Sequence, residues 1–144
     1  MASSDLLNLL TDLISDAKKA GADAADAIVA DGTSVSVTYR LGKLEHLERS
    51  EGGDIGLRVF KGKRQAIVSS ADRKPAALKE LVDRAVSMAA TVPEDPFCGI
   101  ADAEQLAKTL PTLDICDPED VAVETLIGRA EACEAAARAV KGVS

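Results

Sequence analysis

The stretch EGGDIGLRVFKGKRQAIVSS, residues 51–70, decides the fold. Glu51-Gly52-Gly53-Asp54 reads as a flexible break, residues 55–60 as a short strand, Lys61-Gly62-Lys63 as a turn and residues 65–69 as the returning strand. Upstream, residues 34–39 alternate polar and apolar side chains, which places Val35, Val37 and Tyr39 on one face of a half-buried strand. Residues 24–29 form a small-residue strand before it, and Asp31-Gly32 between the two is a strong hairpin signal. Leu41-Gly42-Lys43 turns the chain into a further strand over residues 44–49. The expectation is about five short strands joined by tight turns, an antiparallel meander rather than a βαβ array.

Helical periods flank this meander. Leu6, Leu7, Leu10, Leu13, Ile14 and Ala17 recur at helical spacing over residues 4–20, with Ser4 as N-cap and Gly21 as stop. After Asp72, Pro75 suits a first helical turn, and Leu78, Leu81, Val82, Ala85, Val86 and Ala89 form an amphipathic stripe. Pro93, Pro96, Pro111 and Pro118 punctuate residues 91–118, a surface segment with at most a short helix near residues 103–107. A third helix is expected over residues 119–142, its stripe formed by Val123, Leu126, Ile127, Ala130, Cys133 and Ala137. The fold class is therefore α+β, a mainly antiparallel sheet of about five strands packed by two to three amphipathic helices. The 144 residues suit one domain, and the halt directly after the last helix suggests the N-terminal part of a longer protein.

Composition narrows the function. The 24 carboxylates outnumber the 17 Lys and Arg residues, for a net charge of -7, so a nucleic-acid backbone is repelled. Arg58, Lys61, Lys63 and Arg64 read as a solvated hairpin tip rather than a binding patch. The N-terminus has no basic region followed by an apolar run, and Asn8, Asp12 and Asp16 interrupt its helix, which argues against a signal peptide or membrane span and for a cytoplasmic location. Cys98, Cys116 and Cys133 are odd in number and irregularly spaced, which fits free thiols in a reducing compartment.

No catalytic constellation is legible. The single histidine, His46, lies in an expected strand beside Glu45 and Glu48, too few ligands for a zinc site. Gly53-Asp54-Ile55-Gly56 lacks the third glycine of a dinucleotide loop, and Gly62-Lys63-Arg64 lacks the hydroxyl of a P-loop. Ser69-Ser70 has no glycine-framed elbow, and Cys133 on its stripe reads as a small hydrophobe. No catalytic, cofactor-binding or metal-binding residue is assigned.

The order of these pieces resembles the N-terminal domain of the PmbA/TldE family, also called peptidase U62 or modulator of DNA gyrase. The residues that carry the resemblance are Ala24–Asp26, Glu51 through Phe60, Gly62-Lys63-Arg64, Ala66 through Ser70, Asp72 and Pro75. Glu94-Asp95-Pro96-Phe97-Cys98-Gly99-Ile100-Ala101-Asp102 is similar to the family's Asp-Pro-x-x-Gly-x-Ala-Asp stretch and favours the TldE/PmbA type over TldD. The resemblance implies a two-domain, non-catalytic subunit that helps form a chamber and a subunit contact. Its TldD-type partner would carry zinc on a His-Glu-x-x-x-His motif, and the heterodimer would degrade unfolded peptides. It also leaves open self-association and a protein-binding role on DNA gyrase or another partner. Where the family often has Ser before the helix-starting proline, this chain has Lys74, which leaves Asp72 to supply the cap.

Overall fold

The computed structural model describes residues 3–109, 111–115, 117 and 119–143. The chain order is α1 (Ser3–Lys19), β1 (Ala24–Arg40), β2 (Lys43–Lys61), β3 (Arg64–Ser70), α2 (Pro75–Thr91) and α3 (Val123–Arg138). The three strands form one sheet in the order β1-β2-β3. The chain divides into two compact units, residues 1–31 with 52–108 and residues 32–51 with 109–144, so β1 and β2 each contribute to both.

The α+β class holds, but the sheet has three strands rather than five. The pairs expected over residues 24–29 and 34–39, and over 44–49 and 55–60, are each one continuous strand. The two signals that suggested breaks do not act as turns. Gly32, Gly52 and Gly53 all lack the positive φ that a left-handed turn residue needs. The Asp31 carboxylate, which would have closed a local turn, accepts hydrogen bonds from Arg73 instead. The true turns are Leu41-Gly42, with φ 54° and 74°, and the one at Gly62, with φ 58°.

In the first unit, β2 and β3 pair antiparallel from Ile55 opposite Ser70 to Lys61 opposite Arg64. That register puts Ile55, Leu57 and Val59 on the same face as Ala66 and Val68, and all five are buried. Against this face lie Leu13 and Ala17 of α1 and Leu81, Val82, Ala85 and Ala89 of α2. With no Trp and only two Phe in the chain, the core is aliphatic, and the fully buried Ala17, Ala85 and Ala89 let backbones approach closely.

The helix ends follow local rules. At the end of α1 the N–H of Ala22 reaches the Ala17 carbonyl at 3.1 Å and that of Gly21 reaches Lys18 at 3.1 Å, with Gly21 at φ 105°. This is the paired bonding of a glycine-terminated helix. α2 starts at Pro75, whose missing N–H needs no partner there; the Asp72 carboxylate accepts the N–H of Lys74, itself the N-cap residue, at 3.0 Å, so the cap expected from Asp72 does not reach the first turn and no side chain caps α2. Ser4, expected as the first N-cap, lies inside α1.

The second unit has no fully buried residue among those described. Val35, Val37 and Tyr39 of β1 are half-buried, as are Leu126, Ile127, Ala130 and Glu134 of α3. Glu134 is the specific link: its carboxylate accepts the N–H groups of Leu41 and Gly42, the latter at 2.9 Å. It thereby satisfies the donors of a turn whose first central residue is a leucine in left-handed backbone, at a cost of about 1–2 kcal/mol. Replacing Leu41→Asn should return part of that strain and raise unfolding stability by about 0.5–1 kcal/mol, measured by denaturant titration, because Asn-Gly is the preferred pair for such turns.

α3 is shorter than expected at Val123–Arg138, and Cys133 is exposed rather than on its covered side. A helical step of one position accounts for this, since the half-buried positions of α3 are 123, 126, 127, 130 and 134. The helix expected near residues 103–107 is a set of turns.

Candidate functional site

Among the described residues, no group of three or more His, Cys, Asp and Glu side chains is placed to hold a metal ion. His46 is exposed on β2 with Glu48 at 3.3 Å. Cys98 is buried at 5 % exposure in the first unit, Cys133 is exposed in the second, and Cys116 and Pro118 lie outside the described residues. Ser70 is spent locally, its hydroxyl donating to the Asp72 carbonyl and accepting the Asp72 N–H. No described helix is long and apolar enough to cross a membrane.

What the first unit does contain is a set of charged clamps. Arg73, between β3 and α2, is only 15 % exposed in its side chain; it donates to both oxygens of Asp31 and to the Ala30 carbonyl at 3.3 Å. The pair passes over Gly53: a β-carbon there would lie 2.6 Å from Arg73 Nη2 and closer still to Asp31 Oδ1. The hydrogen bond from Arg73 holds the Asp31 carboxyl below its ordinary value. On the sheet face opposite the core, Arg58 of β2 makes a two-pronged pair with Asp26 of β1, and its guanidinium sits 5.0 Å from the centre of the Phe60 ring.

A third clamp ties the proline-punctuated segment to the β2–β3 turn. The Asp95 N–H donates to the Lys63 carbonyl at 2.7 Å, Lys63 Nζ reaches the Cys98 carbonyl at 3.4 Å, and Arg64 pairs with Glu94 at 3.3 Å. The basic cluster read as a solvated tip is thus largely engaged: Arg58, Lys63 and Arg64 each hold a specific partner. Acidic residues 26 and 94 were the sequence signal for two of those partners, but they lie 32 and 30 positions away and no local rule pairs them, while Lys63 meets backbone groups of Asp95 and Cys98.

A groove between α1 and α2, floored by Leu9, Leu13, Leu78 and Val82, is rimmed by the Lys19–Asp16 and Lys79–Asp83 pairs at 2.8 and 2.6 Å. Each cation there is raised in pKa by its own carboxylate, and no unpaired acid and base converge on the apolar floor. Such exposed pairs add little stability.

The first unit is thus two helices layered on the sheet, its loops held by charged clamps. Residues 25–89 match the family model described as PmbA/TldA metallopeptidase domain 1, and the chain carries the first domain of the PmbA/TldD family. It is 36 % identical over 117 residues to the metalloprotease PmbA of Escherichia coli O157:H7, which covers 81 % of this chain and 25 % of that protein. A metalloprotease PmbA homologue of Haemophilus influenzae is 31 % identical over 108 residues, 75 % of this chain and 24 % of the relative. The chain therefore spans about a quarter of the length of the curated relatives it matches.

Two solved structures share the fold. A protein of Bacteroides thetaiotaomicron described as a "putative modulator of DNA gyrase" superposes with a TM-score of 0.83 at 18 % identity, covering 100 % of this chain and 32 % of that one. TldE of Thermococcus kodakarensis gives 0.64 at 17 % identity, covering 91 % and 29 %.

Proposed function

We propose that this chain is the N-terminal part of a two-domain, TldE/PmbA-type subunit of a cytoplasmic TldD/TldE-type metallopeptidase that degrades unfolded peptides. The observation that carries the reading is the match of residues 25–89 to the first domain of a metallopeptidase family, combined with 36 % identity to a PmbA metalloprotease. In this reading the chain does no chemistry itself. It shapes the substrate chamber and the contact with a TldD-type subunit, which holds the zinc.

Zinc does not fit the described residues of this chain, because no three ligating side chains converge, so no step of the reaction is assigned to them. Their contribution is rigidity. The Arg73–Asp31 and Arg58–Asp26 clamps fix β1 against its neighbours, and the Lys63 and Arg64 clamps fix the segment that follows α2. Such a body presents loops in constant positions, as an accessory domain must.

The test is substrate selection by the assembled pair. The full-length polypeptide mixed with a TldD-type subunit should cleave unfolded casein and leave a folded, disulfide-stabilised protein intact. Equal rates on both would remove the chamber from the account. The alternative of a regulatory module on DNA gyrase draws only on the description of a structural neighbour at 18 % identity, which supports the fold alone.

A further inference from the structure

We infer, independently of the proposed function, that the β1–β2 ribbon carries a hinge at Gly32 and Gly52, about which the second unit turns as one body. β1 leaves the first unit between Asp31 and Gly32, and β2 returns to it between Glu51 and Gly52. No loop separates the units at either crossing, because both strands run through without a break. Freedom between the units must therefore reside in the strands themselves. The third passage, at residues 108–109, lies in irregular backbone that can follow.

The strands hold four glycines, at positions 32, 52, 53 and 56. Two of them have a visible reason to be small. A β-carbon would strike Arg73 and Asp31 at Gly53, and would lie 3.2 Å from Ile28 Cγ2 at Gly56. Gly32 and Gly52 have no such reason. A β-carbon at either meets nothing within 4 Å, and neither has the positive φ that other residues avoid. Glycine inside a strand gives up side-chain packing and leaves the backbone loose. The two strand glycines that the folded structure does not require are thus the two that stand at the crossings, and looseness is what they supply there. A hinge needs only a few such residues to absorb a change in φ and ψ.

Both sides of the loose points are fixed. On the first-unit side, Arg73 donates to both oxygens of Asp31 and to the Ala30 carbonyl at 3.3 Å. Asp31 lies against Gly53, and one position further along each strand stand Gly32 and Gly52. At the far end of the ribbon, Glu134 of α3 accepts the N–H groups of Leu41 and Gly42, so α3 moves with the turn it holds.

The experiment is a distance distribution, by pulsed electron spin resonance, between labels on the full-length polypeptide at exposed Cys133 of α3 and at Glu80→Cys on α2. The native protein should give a broad distribution. Gly32→Val with Gly52→Val should narrow it about twofold without lowering the melting temperature, since β-branched side chains stiffen a strand and meet no neighbour at these positions. Gly32→Ala with Gly52→Ala should give an intermediate width, and decides the matter if the valines disturb folding. A native distribution already as narrow as that of the stiffened variants would overturn the hinge, whether the ribbon is stiff by itself or another part of the polypeptide holds the second unit still. Equally broad distributions in all three would also overturn it, by placing the freedom away from these glycines.

Discussion

Replacing Leu57→Ala should lower unfolding stability by about 2–5 kcal/mol, the usual range for a leucine deleted from a closed core. Leu57 is fully buried on β2, opposite Val68 of β3 and in one cluster with Leu13 of α1 and Leu81 of α2. An all-aliphatic core built on alanines has no large ring that can swing into the vacancy, so the cavity should persist and the cost should fall toward the upper end. Since a domain of this size has about 5–15 kcal/mol in all, the loss is a large fraction of the total. Denaturant titration measures it, and the same change at exposed Leu44 provides the control.

Gly53→Ala is the second, expected at about 0.5–1 kcal/mol, because the groups the methyl would meet are the tips of two flexible side chains and what is lost is the ion pair rather than core packing. The new methyl group would occupy the space of Arg73 Nη2 and Asp31 Oδ1, so the clamp has to open. The clamp also has a pH signature. The Asp31 pKa is lowered in the folded state from an ordinary 3.8, chiefly by the hydrogen bond from Arg73. Its stabilisation is therefore present above that value and lost as pH falls through the lower folded value. The stability gap between native protein and Gly53→Ala should be widest near neutral pH and narrow below about pH 4. A gap constant with pH would mean that the methyl group acts on packing alone and leaves the ion pair intact.

Gly53 also shows what the sequence could and could not reveal. Gly21, Gly42 and Gly62 were legible as chain-reversal residues because each works through its own backbone, and each has positive φ. Gly53 looks the same in sequence, yet it is small for the sake of Arg73, twenty positions later, and sits inside a strand. Asp31-Gly32 misleads for the same reason, since its carboxylate answers to Arg73 rather than to the adjacent N–H groups. Splitting two long strands at these points yields five strands where there are three. The helices were readable because their signal is periodic and repeated, and the stop at Gly21 and start at Pro75 agree with it.

The residues worth attention for function follow the same division. The Asp-Pro stretch around Phe97 was legible as a piece of family resemblance, but not that Asp95 closes a turn on Lys63 and leaves the ring bare. The covered side of α3 was misjudged by one helical step at Cys133, because Glu134, a charged residue, takes an inward place to hold the Leu41-Gly42 turn. A pattern based on hydrophobicity passes over such a residue.

On the proposed function, this chain serves a peptidase without being the peptidase itself. The most direct measurement is hydrolysis of an unfolded peptide by three samples: this chain, the full-length polypeptide that carries it, and that polypeptide mixed with a TldD-type subunit, each with and without a zinc chelator. Cleavage is expected in the mixture only, abolished by the chelator. Cleavage by this chain alone, insensitive to the chelator, would contradict the proposed function and turn attention back to His46 and the cysteines.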